Sequence, residues 1–553
     1  MRISVFGSLR GYRPDSLRAD VTAGVLIVAI AIPLSMGMAE VAGMPPIAGL
    51  YSCVLPLVAY AALGSSRQLV IALDASTAAI VAATVAPLAG GDPNRYAALV
   101  AGLALLSGAF LAIAGLTKLG MVADFLSEPV LLGYQAGLAI VVIASQLPRM
   151  LGITVDADTT VDLFADSIRS WDGVDAATVA IAAGSMAVML ACRRWPRVPG
   201  ALLAVVGASL VVAAAGVDVS VVGQLPSGFP AIGVPDLGVS DLGDLVPGAA
   251  AVALVAAADT LVSSRAFAVR NAYEVDANRD LLGLGAANLA SGASGGITVS
   301  ASAARTAVAE SVGSRSQLAG LVAASLITLV LLMATGLLRD VPVASLAGVV
   351  TVAVMRLFEP RAARTLWRVR RAEFAIGVAA MAGGALIGVL EGVVIAMALS
   401  LIDFVRRTSR PHDAVLGVVP GRPGYHDVAR IREAEQLPGA LVYRFDAPLF
   451  YANAERFRAR VRALTKRRSD VRTVVLEATT IPDIDVTAAR MLGELQHELG
   501  LRGVRLVVAD AVGSVRDLLV GDELKEDFTE ADMYDSVEEA LAFRDLGEEP
   551  TQP

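Results

Sequence analysis

The sequence holds 553 residues, 55% of them hydrophobic and only 18% charged, with a mean hydropathy of +0.64. That is too little charge to cover a soluble surface, so the composition argues against an ordinary soluble protein and for a polytopic membrane protein. The formal net charge of −8 gives no sign of nucleic-acid binding, and two cysteines in or near apolar segments imply no disulfide framework.

The chain opens with Arg2, Arg10, Arg13 and Arg18, then a long apolar run without a small-residue cleavage site, which reads as a first span and not a removed signal peptide. Apolar runs suited to about 30 Å of hydrocarbon fall near 20–38, 47–63, 69–87, 97–117, 129–147, 174–192 and 198–217. A second set falls near 247–268, 281–293, 297–312, 316–337, 341–356, 372–389 and 390–405, with 281–293 and 297–312 too short or too polar for ordinary spans. Loop charges support seven plus seven. Arginines cluster before the first span, after the sixth (Arg193, Arg194, Arg197), after the twelfth (Arg356, Arg361, Arg364, Arg368, Arg370, Arg371) and after the last (Arg406, Arg407, Arg410). The loop 154–175 carries Asp156, Asp158, Asp162, Asp166, Asp172 and Asp175 instead. Fourteen spans put all the basic stretches on the cytoplasmic side, with both termini, and the acidic loop outside.

Seven spans per half make the halves inverted repeats, about 20–217 and 247–405. The third segment of each opens with small-residue backbone: "SSRQLVIALDASTAAIV" (65–81) and "SGASGGITVSASAARTAV" (291–308). Paired interrupted segments are the best sequence pointer to a transporter's binding site; the alternative is that Gly and Ser only let helices pack closely. With 297–302 extended, a helix starting near Ser302 faces another starting near Ala75, and two positive dipole ends with Arg305 in the first turn form an anion site. Small residues (Ala75, Ser76, Ala301, Ala303) leave the backbone donors accessible, and Ser76, Thr77, Ser300 and Ser302 supply hydroxyls. Asp259, alone in the apolar "ALVAAADTLVSSRAFA" (253–268), is a candidate for a coupling cation with Ser263 one turn on, or for a proton; the alternative is a fixed ion pair with Arg305 or Arg265. All three histidines lie beyond the membrane part, so neither an intramembrane histidine relay nor a histidine metal site is expected, and no cofactor is called for beyond Na⁺ or H⁺.

"AGMPPIAGLYS" (42–52), "GSSRQL" (64–69), "NRDLLGLGAANLASGASGG" (278–296), "ARTAVAE" (304–310) and the soluble tail together resemble the SulP family of anion transporters, which includes sulfate permeases and animal anion exchangers. The resemblance implies a polytopic α-helical membrane protein of fourteen segments in which a core domain moves against a gate domain, and a homodimer. It implies an anion held between the third and tenth helices, Asp259 as the acidic residue of the eighth that couples transport to a cation, and Arg305 as the arginine of the tenth. Two departures stand in the site. Ala72-Leu73 followed by Asp74 replaces the common Gly-Pro, and an acid there opposes anion binding unless protonated or turned away, or serves in cation coupling; Ser35 and Met38 stand where relatives commonly carry Gln and Tyr.

Residues 406–437 read as an extended linker, with three prolines and three glycines in its "RPHDAVLGVVPGRPGYHDV". Residues 438–546 alternate strand-like runs ("LVYRFD", "APLFYA", "TVVLEAT", "VRLVVAD") with helix-like ones, an α/β domain. It resembles the STAS domain that ends SulP proteins, similar to anti-sigma-factor antagonists and so a site for a cytoplasmic protein partner. In "EATTIPDIDVTAARML" (477–492) Asp485 and Thr487 stand at the start of a helix; Thr487 is expected to cap it, and the matching hydroxyl is phosphorylated in the soluble antagonists. The last residues, 547–553, read as a disordered tail. The expected function is secondary transport of a small anion (sulfate, then bicarbonate or a dicarboxylate) coupled to H⁺ or Na⁺, by a non-enzyme of the cell membrane. An anion channel or exchanger, or a proton-coupled nucleobase carrier of the same fold that would need no Arg305, are the alternatives; no Walker motif points to ATP-driven transport.

Overall fold

The computed structural model describes residues 5–9, 12, 14–120, 128–155, 159–195, 198–521 and 528–546. Arg2, Arg10, Arg13, Arg197, Asp156, Asp158 and the expected tail 547–553 lie outside the described residues. The chain divides into two compact units, Met1–Ser400 and Leu401–Pro553.

The first unit is helical, as lipid requires of a chain that must satisfy its own backbone. Its first half comprises α1 (Leu17–Val41), α2 (Pro46–Tyr51), α3 (Leu55–Leu63), the two-residue strand β1 (Ile71–Ala72), α4 (Ala75–Ala89), α5 (Pro93–Leu116), α6 (Glu128–Leu151), α7 (Thr160–Arg169), α8 (Ala176–Cys192) and α9 (Gly200–Ala215). The second comprises α10 (Val239–Arg270), α11 (Ala277–Ala293), the two-residue strand β2 (Ser300–Ala301), α12 (Ala303–Ser311), α13 (Leu318–Met333), α14 (Val343–Val354), α15 (Pro360–Val369), α16 (Arg371–Ala382) with a π-turn over Gly383–Ile387, and α17 (Val389–Ser409). The apolar runs fall on these helices, with 47–63 divided between α2 and α3, and 69–87 and 297–312 each opening on a short strand before α4 and α12. Asp92, Asp175 and Asp276 start α5, α8 and α11 by accepting backbone N–H bonds. In the run 281–293 the helix begins earlier than the apolar residues do, at the Asp276 cap, and α11 is 17 residues long. Glycine brings α11 onto α5, where a Cβ on Gly285 would stand 2.6 Å from the Ala112 nitrogen and one on Gly108 2.7 Å from that of Leu289.

The second unit is an α/β domain. A six-stranded sheet of order β4-β3-β5-β6-β7-β8 is formed by β3 (Asp413–Val418), β4 (Tyr425–Asp427), β5 (Ala440–Phe445), β6 (Thr473–Glu477), β7 (Arg505–Ala509) and β8 (Met533–Tyr534). β5, β6, β7 and β8 pair parallel, and β3 pairs antiparallel with both β4 and β5. Helices α18 (Ala454–Arg467), α19 (Val486–Gly500), α20 (Gly513–Leu519) and α21 (Val537–Leu546) complete it. Tyr443, Phe445, Phe457, Leu476, Leu492 and Leu495 fill the core on one side.

Three expectations are corrected here. The linker 406–437 is not an extended connection: Ala414, Val415 and Leu416 are buried strand residues, and the Pro/Gly cluster that suggested a spacer is the turn between β3 and β4. "APLFYA" is not a strand of the sheet; only Leu449 forms a bridge, to Ile484. The cap of α19 is Asp485 and not Thr487, because Asp485 has the extended backbone of a cap and accepts from Ala488 N at 2.8 Å, whereas Thr487 lies inside the first turn and is exposed.

Candidate functional site

The site begins with a backbone that is not helical and is nonetheless satisfied. Residues 297–302 run extended between α11 and α12. Ile297 N donates to Ser52 Oγ at 2.7 Å. Val299 N donates to Asn288 Oδ1 and Asn288 Nδ2 returns a bond to Val299 O, both at 2.9 Å, so one amide side chain serves as a strand partner. Ala301 N donates to Thr260 Oγ1 at 3.3 Å and Ser302 N to Val70 O at 2.9 Å. Val70 N in turn donates to Thr306 Oγ1 at 3.0 Å. Neighbouring protein supplies what water cannot, which is the condition for broken backbone at this depth.

β1 and β2 pair antiparallel, Ile71 with Ala301 and Ala72 with Ser300. Opposed strands, each followed at once by a helix, bring the N-termini of α4 and α12 to one place. Neither start has a side-chain cap bond: Asp74 and Ser302 occupy the cap positions, with the Asp74 carboxyl reaching only the adjacent Ala75 N. Free N–H groups and the aligned peptide dipoles give both ends positive potential. They border a cavity of about 720 Å³, whose inner wall includes Leu73, Asp74, Ala75, Ser302, Ala303 and Arg305, with Met38 and Gln135 facing them. Ala303, Ala304 and Ala307 are the exposed side of α12, too small to shield its backbone, while Arg305 and Thr306 are buried on the other side. Elsewhere the same cavity is lined by Arg193, Arg356 and Glu359.

Arg305 is 2% exposed and anchored. Nη1 donates to Leu73 O at 3.1 Å and Nη2 to Ser35 Oγ at 3.3 Å, while Nε has no hydrogen-bond partner among the described residues. The guanidinium therefore clasps Leu73, which precedes the Asp74 cap of α4, and adds a fixed charge to that helix start. Its carboxylate neighbour is Asp74. The alternative of a fixed Asp259–Arg305 pair is not what forms: Asp259 Oδ2 accepts from Ser76 Oγ at 3.1 Å, and its other neighbours are Gln135 and Asp74.

Of the residues singled out in the sequence, Asp74, Ala75, Ser302, Ala303 and Arg305 line the cavity. Ser76 is turned to Asp259. Thr77 Oγ1 lies 3.1 Å from Asp74 O and 3.4 Å from Thr298 O, so its hydroxyl is taken by backbone. Ser300 and Ala301 are buried in the strand pair, and the Ser300 hydroxyl has no partner among the described residues. Ser263 is buried one turn beyond Asp259. In the second unit, Asp485 also accepts from Tyr451 N at 2.9 Å, leaving Thr487 exposed beside it.

Sequence reasoning missed Gln135, the role of Ser35 as the arginine's anchor, the Leu73 carbonyl, and Arg193 with Arg356, which it read only for topology. A lone amide in the apolar "EPVLLGYQAGLAIVV" (128–142) was the available signal for Gln135. Nothing local marks Ser35 or Leu73.

Comparison with known proteins agrees with this architecture. The sequence profile of the sulfate permease family matches residues 17–380, and that of the STAS domain matches residues 432–540. A probable sulfate transporter of Mycobacterium tuberculosis is 42% identical over 546 residues, covering 97% of both chains. Probable sulfate transporter 3.4 of Arabidopsis thaliana is 27% identical over 561 residues, covering 95% of this chain and 85% of its own. Among solved structures, the murine solute carrier 26 family member A9 anion transporter in the inward-facing state superposes with a TM-score of 0.90 at 21% identity, covering 99% of this chain and 94% of that one. The transmembrane domain of the cyanobacterial bicarbonate transporter BicA gives 0.62 at 22% identity, covering 70% and 98%.

Proposed function

The chain belongs to the sulfate permease family, a family of transporters and not enzymes, and from that premise we propose that it is a secondary active carrier of a small inorganic anion, sulfate foremost. The anion is held between the facing starts of α4 and α12, where first-turn N–H groups of the two helices and the Ser302 hydroxyl are the donors. Arg305 acts mainly as fixed charge, since two of its nitrogens are engaged, and Nε is the one left to donate. Asp259, with Ser76 against it and Ser263 a turn away, carries the coupling cation, H⁺ or Na⁺; Asp74, nearer the anion, modulates it. The observation that supports this most is the pair of uncapped helix starts opening on one cavity beside a buried arginine. The loop arginines favour an orientation with both termini in the cytoplasm; Arg193 and Arg356 along the cavity then make this conformation the inward-facing one of an alternating-access cycle.

Uptake of labelled sulfate, bicarbonate and fumarate into proteoliposomes, at several pH values and with or without Na⁺, tests the reading. Saturable anion uptake is expected, abolished by Asp259→Asn and reduced on the order of a hundredfold by Arg305→Ala. Unchanged uptake in both variants would overturn the assigned roles, and uptake of an uncharged nucleobase alone would overturn the substrate class.

A further inference from the structure

Helix α15 has no place in the transport reading, yet it is sharply two-sided. Arg361, Arg364 and Arg368, spaced i, i+3 and i+7, share one face with Thr365. Ala362, Ala363, Leu366, Trp367 and Val369 lie around the opposite side. Ala362, Ala363 and Leu366 are half-buried, but Trp367 is 50% and Val369 73% exposed. The Trp367 ring is braced edge-on against Phe374 at 5.1 Å and under the Arg371 guanidinium at 5.3 Å, so it is held in place while still uncovered. Six arginines stand against two glutamates between residues 356 and 373, and one of those glutamates, Glu373, is 3.7 Å from Arg370.

Two facts decide what covers this helix. It sits in the 16 residues between α14 and α16, both apolar helices of the membrane unit, so it cannot leave the bilayer surface. Its charge also has one sign, on the side away from the apolar residues. A tryptophan at headgroup depth, flanked by arginines, fits a surface of anionic headgroups over acyl chains. We propose that α15 is an interfacial helix that selects anionic phospholipid, with Trp367 and Val369 at the top of the acyl chains and Arg361, Arg364 and Arg368 on the phosphates.

The test uses the full chain in nanodiscs, with Trp171→Phe and Trp195→Phe leaving Trp367 as the only tryptophan. A fixed minor fraction of acyl-brominated lipid is supplied as phosphatidylglycerol in one sample and as phosphatidylcholine in another. Brominated phosphatidylglycerol is expected to quench Trp367 at least twofold more strongly. The preference should vanish in molar salt and in the Arg361→Gln, Arg364→Gln, Arg368→Gln variant, whose unchanged elution volume and helicity exclude misfolding. Equal quenching by both lipids would overturn the selectivity. Quenching by neither would overturn the interfacial placement and mean that protein, a second copy or the chain's own soluble unit, covers the face. No outcome depends on which solute is carried.

Discussion

Inside the membrane unit certain acids are fully buried and held by several neutral donors, whereas in the soluble unit many acids are paired with arginines. Asp20, fully buried, accepts from Tyr12 Oη, Ser314 Oγ, Arg315 N and Ser316 Oγ at 2.8–3.0 Å. Asp280, equally buried, accepts at one oxygen from Tyr60 Oη, Ser65 N, Ser65 Oγ and Ser66 N at 2.8–3.1 Å. In the soluble unit Arg458 pairs with Glu494 at 2.8 Å and Arg516 with Asp535 at 3.1 Å, and these two acids are more than half exposed. A carboxylate that water can reach costs little to break. One that replaces water for two loop N–H groups and two hydroxyls is a structural part.

That contrast sets the expected sizes of effect. The largest belongs to Asp280→Ala, which strips four donors of the segment leading into β1. It should lower stability by roughly 3–5 kcal/mol, read as a large fall in the thermal midpoint in detergent; a fall no greater than that of a surface variant would break the comparison. Next is Asp74→Asn, where the effect is on function. Removing a negative charge beside the anion should lower the KM for sulfate on the order of tenfold, the reverse of Arg305→Ala. A raised KM would mean that Asp74 helps hold the anion's partners and does not oppose the anion.

The smallest effect is expected at Asp446 in the soluble unit. His412 Nδ1 lies 2.8 Å from its Oδ2 and Arg444 Nε 2.8 Å from its Oδ1. Burial raises this carboxyl, but the His412 hydrogen bond and the Arg444 charge outweigh it and hold the group below the ordinary carboxylate range. Because its affinity for protons is lower folded than unfolded, its contribution is present above the unfolded value of about 4 and is lost as pH falls through the folded one. Asp446→Asn should therefore cost about 0.5–1 kcal/mol at neutral pH, a cost that shrinks as the pH falls below the ordinary carboxylate range. Hydrogen exchange of the sheet amides in the full chain reads both conditions; a cost that grows on acidification would contradict the sign.

The two units also differed in how readily they could be read. The membrane unit was legible because lipid imposes one rule, long apolar runs, and punishes exceptions; Asp259 and Arg305 stood out against that background. In the soluble unit no such background exists. β3 was hidden because it ends in a Pro/Gly turn that composition alone cannot tell from a spacer. Thr487 was chosen over Asp485 as the cap because residue type does not say which of two capping residues has the extended backbone.

What the amino-acid order determined by itself is what local chemistry dictates. It set the helical runs, the two places where small and hydroxylated residues interrupt them, the intramembrane charges, and the alternation of strands and helices after residue 438. Only the tertiary structure decided which groups meet. The pairing of Ile71 with Ala301 turns two helix starts into one cavity, Asn288 and Thr260 hold the break open from other helices, and Ser35 and the Leu73 carbonyl fix how Arg305 points. Residues 35, 73 and 305 are far apart in the chain, and a hydrogen bond is selected by position in space, for which sequence spacing carries no signal.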